Sequence, residues 1–97
     1  MDYKIFWTDE ALNNLESILD YLKEDWTQKE IDNFKSKLIK QINLIASNPK
    51  MFPVSTYNTR LRKAVLSKQT TIFYEVKNNV IYLAYLFTNR QNIERIK

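Results

Sequence analysis

A two-layer α+β domain is the fold this sequence predicts, in the order strand, helix, helix, strand, strand, strand. Three observations predict it. Apolar residues recur at helical spacing through two stretches of the first half. Asn48-Pro49 then ends that periodicity, because proline disfavours the α conformation of the residue before it. Beyond it, apolar runs of strand length are separated by turn-forming residues. The expected arrangement is a helical hairpin packed on a mostly antiparallel, twisted sheet, with residues 1–97 as a single domain.

Tyr3-Lys4-Ile5-Phe6-Trp7 is aromatic and β-branched enough to make the first strand. Thr8 suits an N-cap, and Asp9 and Glu10 suit the positive end of a helix dipole. Ala11, Leu12, Leu15, Ile18, Leu19, Leu22 and Trp26 then form one apolar stripe, predicting a helix over 9–25. Thr27-Gln28-Lys29-Glu30 is a capping box that opens the second helix, whose apolar face is Ile31, Phe34, Leu38, Ile42 and Ile45. The short connection implies an antiparallel pair. Glu16, Asp20 and Glu24 make an acidic stripe on the first helix, opposite a second helix carrying Lys29, Lys35, Lys37 and Lys40. Solvated faces with weak cross-helix pairing account for both stripes more simply than a functional surface does.

Met51-Phe52-Pro53 reads as an apolar plug folded onto the core. Residues 60–66, 70–76 and 80–88 follow as strands, the last two joined at Asn78-Asn79, where asparagine tolerates positive φ. Simple alternation along 80–88 places Ile81, Leu83, Tyr85 and Phe87 on one face. It places Val80, Tyr82, Ala84, Leu86 and Thr88 on the other. Both faces are largely apolar. One can pack on the helices. The other either receives a protein partner or is covered by the remaining loops of a central strand.

Composition narrows the chemistry. The chain has 97 residues, no cysteine, no histidine and no glycine. Disulfides, thiolate metal sites, histidine-based nucleophile systems and glycine-rich phosphate loops are therefore all excluded. No cofactor and no metal is expected, and no catalytic set is legible. No apolar run is long enough to span a membrane and no signal peptide is evident, so the default expectation is a cytoplasmic protein. Charge is split along the chain. Residues 1–32 hold nine acids against three lysines, and residues 33–97 hold twelve bases against two acids. A basic sheet suits a polyanion or an acidic protein, although lysines kept for solubility would give the same count. Arg60, Arg62, Lys63 and Arg90 are the candidates for gripping phosphate or a target surface, Arg62 and Arg90 through planar forks. Alternation puts Arg60 and Arg62 on one strand face and Lys63 on the other. Edge protection is the alternative use of these bases. Tyr74, Tyr82 and Tyr85 suit core packing with a hydroxyl at the rim better than base stacking. Glu75 suits a surface ion pair better than a general base.

The ordered set of motifs resembles the RelE/ParE superfamily of toxins from bacterial type II toxin–antitoxin modules. It comprises Ala11-x3-Leu15-x2-Ile18-x2-Tyr21-Leu22, Asn48-Pro49-x-Met51-Phe52-Pro53 and Leu61-Arg62-Lys63-Ala64-Val65-Leu66. Ile72-Phe73-Tyr74-Glu75-Val76 and Phe87-Thr88-x-Arg90-Gln91-Asn92 complete it. The resemblance implies a small basic growth inhibitor, associated with plasmid stabilization and silenced by a cognate antitoxin with an acidic, partly disordered segment. Tyr82, Ala84, Leu86 and Lys68 are the expected antitoxin contacts. ParE-like members bind DNA gyrase, whereas RelE-like members cut messenger RNA in the ribosomal A site. The ribonuclease pattern has an Arg where this chain has Thr71, and a His or Tyr after the last strand where it has Asn92 and Ile93. The ParE branch is therefore the expectation, with a divergent ribosome-dependent endoribonuclease as the alternative and a non-toxic interaction module as the third. Charge reversal at Arg62 or Arg90 is expected to weaken target action more than folding.

Overall fold

The computed structural model describes residues 3–88. Its elements are β1 (Lys4–Trp7), α1 (Asp9–Asp25), α2 (Gln28–Ser47), β2 (Arg62–Val65), β3 (Thr70–Lys77) and β4 (Val80–Thr88). The described strands form one sheet in the order β1-β4-β3-β2. β2, β3 and β4 pair antiparallel, and β1 lies parallel to β4. The parallel pair is the one whose connection contains the helical hairpin, as a parallel connection requires a long crossover. β2 is shorter than the expected 60–66, because Asn58 to Leu61 closes as a turn, with the Leu61 N–H donating to the Asn58 carbonyl at 2.9 Å.

Both helices start where their capping residues put them. The Thr8 hydroxyl accepts from the Ala11 N–H at 3.2 Å. At Thr27 the box is complete: its hydroxyl accepts from the Glu30 N–H at 3.2 Å, and its own N–H donates to Glu30 Oε1 at 2.9 Å. The hairpin presents Ala11, Ile18 and Leu22 of α1 and Ile31, Phe34, Leu38 and Ile45 of α2 to the core. On the sheet side they meet Ala64, Ile72, Tyr74, Ile81, Leu83 and Leu86. Leu12 departs from the expected stripe and stands exposed. It lies about 100° round the helix from Ala11, which turns it to solvent.

The faces of β4 differ from simple alternation. Tyr85 pairs with Phe73, and Leu83 pairs with Tyr74, so Ala84 is an extra residue opposite a break in the register. This β-bulge inverts the face of everything after it. Leu86 joins Ile81 and Leu83 in the core, while Tyr85 and Phe87 turn outward with Tyr82. The expected grouping of Leu86 with Tyr82, and of Tyr85 with Leu83, is corrected accordingly. The N-terminal half of α1 holds the bulge. The Thr8 hydroxyl donates to the Leu83 carbonyl at 2.7 Å, with the Ala84 carbonyl 3.0 Å away. Asn14 Oδ1 accepts from the Leu86 N–H at 3.0 Å. The irregular backbone groups of the bulge are thus satisfied by side chains of the neighbouring helix.

The β3–β4 turn behaves as its residues dictate, with Asn78 at φ 56°. The 51–53 plug is only half buried by its apolar residues. Phe52 packs edge-on against Tyr74 at 6.3 Å, but Met51 stands exposed.

Candidate functional site

Because the helices cover one side of the sheet, the residues of opposite alternation form a second, outward face. The register brings Phe6 beside Tyr82, Phe73 beside Tyr85, Thr71 beside Phe87 and Val65, and Lys63 beside Phe73. Phe6 and Tyr82 meet edge to face at 5.5 Å, and Phe73 and Tyr85 stack at 4.7 Å. Phe6, Val65 and Phe87 are each more than half exposed, at 53%, 60% and 54%. Such a contiguous aromatic surface is more than scattered surface apolarity. Glu75 on this face lies 4.0 Å from Lys77, the surface pairing its position suggested.

A second feature lies where β2 meets the loop after α2. The loop is zipped to the strand: the Lys63 N–H donates to the Pro53 carbonyl at 2.9 Å and the Ser55 N–H to the Leu61 carbonyl at 2.8 Å. Val54 forms a bridge with Arg62. Arg62 Nη1 donates to the Phe52 carbonyl at 2.6 Å and reaches the Lys50 carbonyl at 3.4 Å. Below it the Tyr74 hydroxyl donates to the buried Pro49 carbonyl at 2.6 Å. Burial pushes the Tyr74 phenol up to about 12, against a smaller downward pull from the Arg62 charge. Beside this clamp is a cleft of about 390 Å³, lined by Lys50, Arg60 and Arg62 together with Tyr3, Val54 and Val76.

The sequence-derived candidates therefore divide. Arg60 and Arg62 line one cleft, and Lys63 stands on the outward face. Arg90 lies outside the described residues. Tyr82 and Ala84 are half-exposed, while Leu86 is buried under the helices. Lys68 is exposed in the β2–β3 turn, whose Ser67 and Gln69 line a larger cleft of about 590 Å³ with Trp26, Phe34, Lys37 and Lys40. Lys50 was not among the candidates. The signal that could have found it is its place directly after Asn48-Pro49, in a loop that must fold back onto the sheet. Phe6 was likewise missed, because its side of the first strand could not be assigned before its partner strand was known. Among the described residues, no group of three or more Asp or Glu could hold a metal ion.

The same architecture occurs in solved toxin structures. The chromosomal ParDE toxin–antitoxin system of P. aeruginosa superposes with a TM-score of 0.76 at 14% identity, over 89% of this chain and 95% of that one. The E. coli DinJ-YafQ toxin–antitoxin complex gives 0.63 at 11% identity, over 94% and 97%. The RelBE2 complex of Mycobacterium tuberculosis gives 0.61 at 8%, over 92% and 100%. At such identities these likenesses speak for the fold. No curated protein matches by sequence. The family assignment comes from the sequence model of the ParE toxin of the type II parDE toxin–antitoxin system, which matches residues 5–93. With nearly the whole chain matched, and the hairpin-on-sheet fold shared with solved toxins, this protein belongs to the ParE toxin family of type II toxin–antitoxin systems.

Proposed function

We propose that this chain is a growth-inhibiting toxin that acts by binding a target, DNA gyrase being the leading one, and that a cognate antitoxin neutralises it. The observation that carries this reading is the ParE family match across residues 5–93. The chemistry of the described surface is in keeping with it. Cleavage of RNA needs a base for the 2′-hydroxyl and an acid for the leaving oxygen. The chain has no histidine, Thr71 stands where the ribonuclease pattern has arginine, and Glu75 is engaged with Lys77.

The antitoxin dock in this proposal is the outward face, centred on Tyr82 and Ala84 and extended by Phe6, Phe73, Tyr85 and Phe87. An aromatic surface edged by Lys63 suits an amphipathic acidic segment. Arg60, Arg62, Lys63 and Arg90 are the proposed target contacts, and Lys68 an outlying antitoxin contact.

Induction of the chain in growing cells tests the function directly. Gyrase-trapped DNA breaks with intact messages are the expected result. Rapid message cleavage phased to the ribosomal A site would instead establish the endoribonuclease, and normal growth would leave only a non-toxic interaction module.

A further inference from the structure

We infer that the Lys50–Arg60–Arg62 cleft is a receptor for a carboxylate-bearing segment of a partner protein, separate from the outward aromatic face. Three cations line this cleft, and among the described residues no Asp or Glu does. Among the described residues, neither ion pair found, Lys23 with Asp20 or Lys77 with Glu75, involves Lys50, Arg60 or Arg62. Cations gathered without a counter-charge repel one another and raise the local affinity for anions.

The site is also built rather than incidental. Arg62 is fixed by its bonds to the Phe52 and Lys50 carbonyls, which tie the Lys50 backbone to the same strand. The Arg60 N–H is held by Asn58 Oδ1 at 3.0 Å, within the turn that presents its side chain. These contacts place the Arg62 guanidinium and the backbones that carry the exposed Lys50 and Arg60 side chains, so part of the site is ordered before any ligand arrives.

The walls decide between anions. Val54, Val76 and Tyr3 supply apolar surface beside the charges. A glutamate or aspartate on a peptide can lay its methylenes and its neighbours on that surface while its carboxylate meets an arginine fork. A nucleic-acid strand would need the cations to continue along its phosphates with flat rings to stack on. Along β2 the row breaks, because Lys63 points to the opposite face.

The inference rests on reading the chain as a binding protein, and its test is separable from that reading. Isotope-labelled full-length protein is titrated with a short peptide alternating glutamate and leucine, and with a single-stranded oligonucleotide of equal charge. The expected result is saturable shifts of the Arg60 and Arg62 side-chain N–H signals with the peptide. Affinity should fall about tenfold in Lys50→Glu plus Arg60→Glu, which leaves the Arg62 clamp intact. Arg60→Lys, which keeps the charge and loses the fork, should bind more weakly than wild type and more tightly than the double charge reversal. Stronger oligonucleotide binding at the same signals would overturn the peptide assignment. So would peptide shifts confined to the Lys63 face. Concentration-dependent self-association abolished by Glu16→Lys plus Asp20→Lys would show the occupant to be the acidic α1 stripe of a second copy. Growth arrest is read in parallel: an inert wild-type chain sinks the proposed function alone, and an arresting chain that ignores the peptide sinks the cleft alone.

Discussion

Tyr74 and Arg62 show how much one side chain can hold. Tyr74 is fully buried with its hydroxyl on the Pro49 carbonyl, so Tyr74→Phe strands that acceptor in the core. The expected cost is about 1–3 kcal/mol in denaturant unfolding. The raised phenol gives a second readout. Because its folded pKa of about 12 exceeds the ordinary 10.0, its contribution is complete below pH 10.0 and disappears as pH rises towards 12. Wild-type protein should therefore lose stability across that interval more steeply than Tyr74→Phe, as parallel unfolding curves would reveal. Arg62 has two carbonyls in its grip, so charge reversal there should perturb the 50–53 loop as well as any target contact. Lys63→Glu is the cleaner functional variant: it should leave the melting temperature almost unchanged while altering binding at the outward face.

Among the elements, the bulge of β4 depends on α1 more than on its own strand. Thr8 caps the helix and also bonds the Leu83 and Ala84 carbonyls, and Asn14 takes the Leu86 N–H. Thr8→Ala should cost about 1–2 kcal/mol, the upper range for a lost cap, while Thr8→Ser should restore most of it. The hairpin follows simpler rules. Leu38→Ala opens a cavity in the core and should cost about 2–5 kcal/mol. Ile42→Ala should cost less, since Ile42 is only half-buried. Comparing the two unfolding midpoints checks the ordering.

Across the whole molecule, the division of labour is between a covered and an uncovered side of one sheet. Helices seal one face, and Phe6, Val65 and Phe87 remain more than half exposed on the other. At the β2 end, the clamp at Arg62 gathers a basic cleft out of a loop and a strand separated by ten residues or so. Phe6→Glu should weaken antitoxin binding without unfolding the chain, since the side chain is exposed; calorimetric titration with the co-expressed antitoxin measures it.

Periodicity, caps and turn residues were enough to read the element order, both helix starts, the core face of α2 and the Asn78 turn, because each is set by neighbours within a few positions. The motifs running from Ala11 to Asn92 were also enough to suggest the superfamily. Local pattern could not reveal the bulge at Ala84. That extra residue is stabilised by Thr8 and Asn14, more than seventy positions away, and it decides which of Tyr85 and Leu86 faces outward. Nor could it join Lys50 to Arg60 and Arg62, since only the fold-back of the loop onto β2 makes them neighbours. Short-range preferences act within a turn of chain, whereas faces and clefts are created by contacts between segments far apart in sequence.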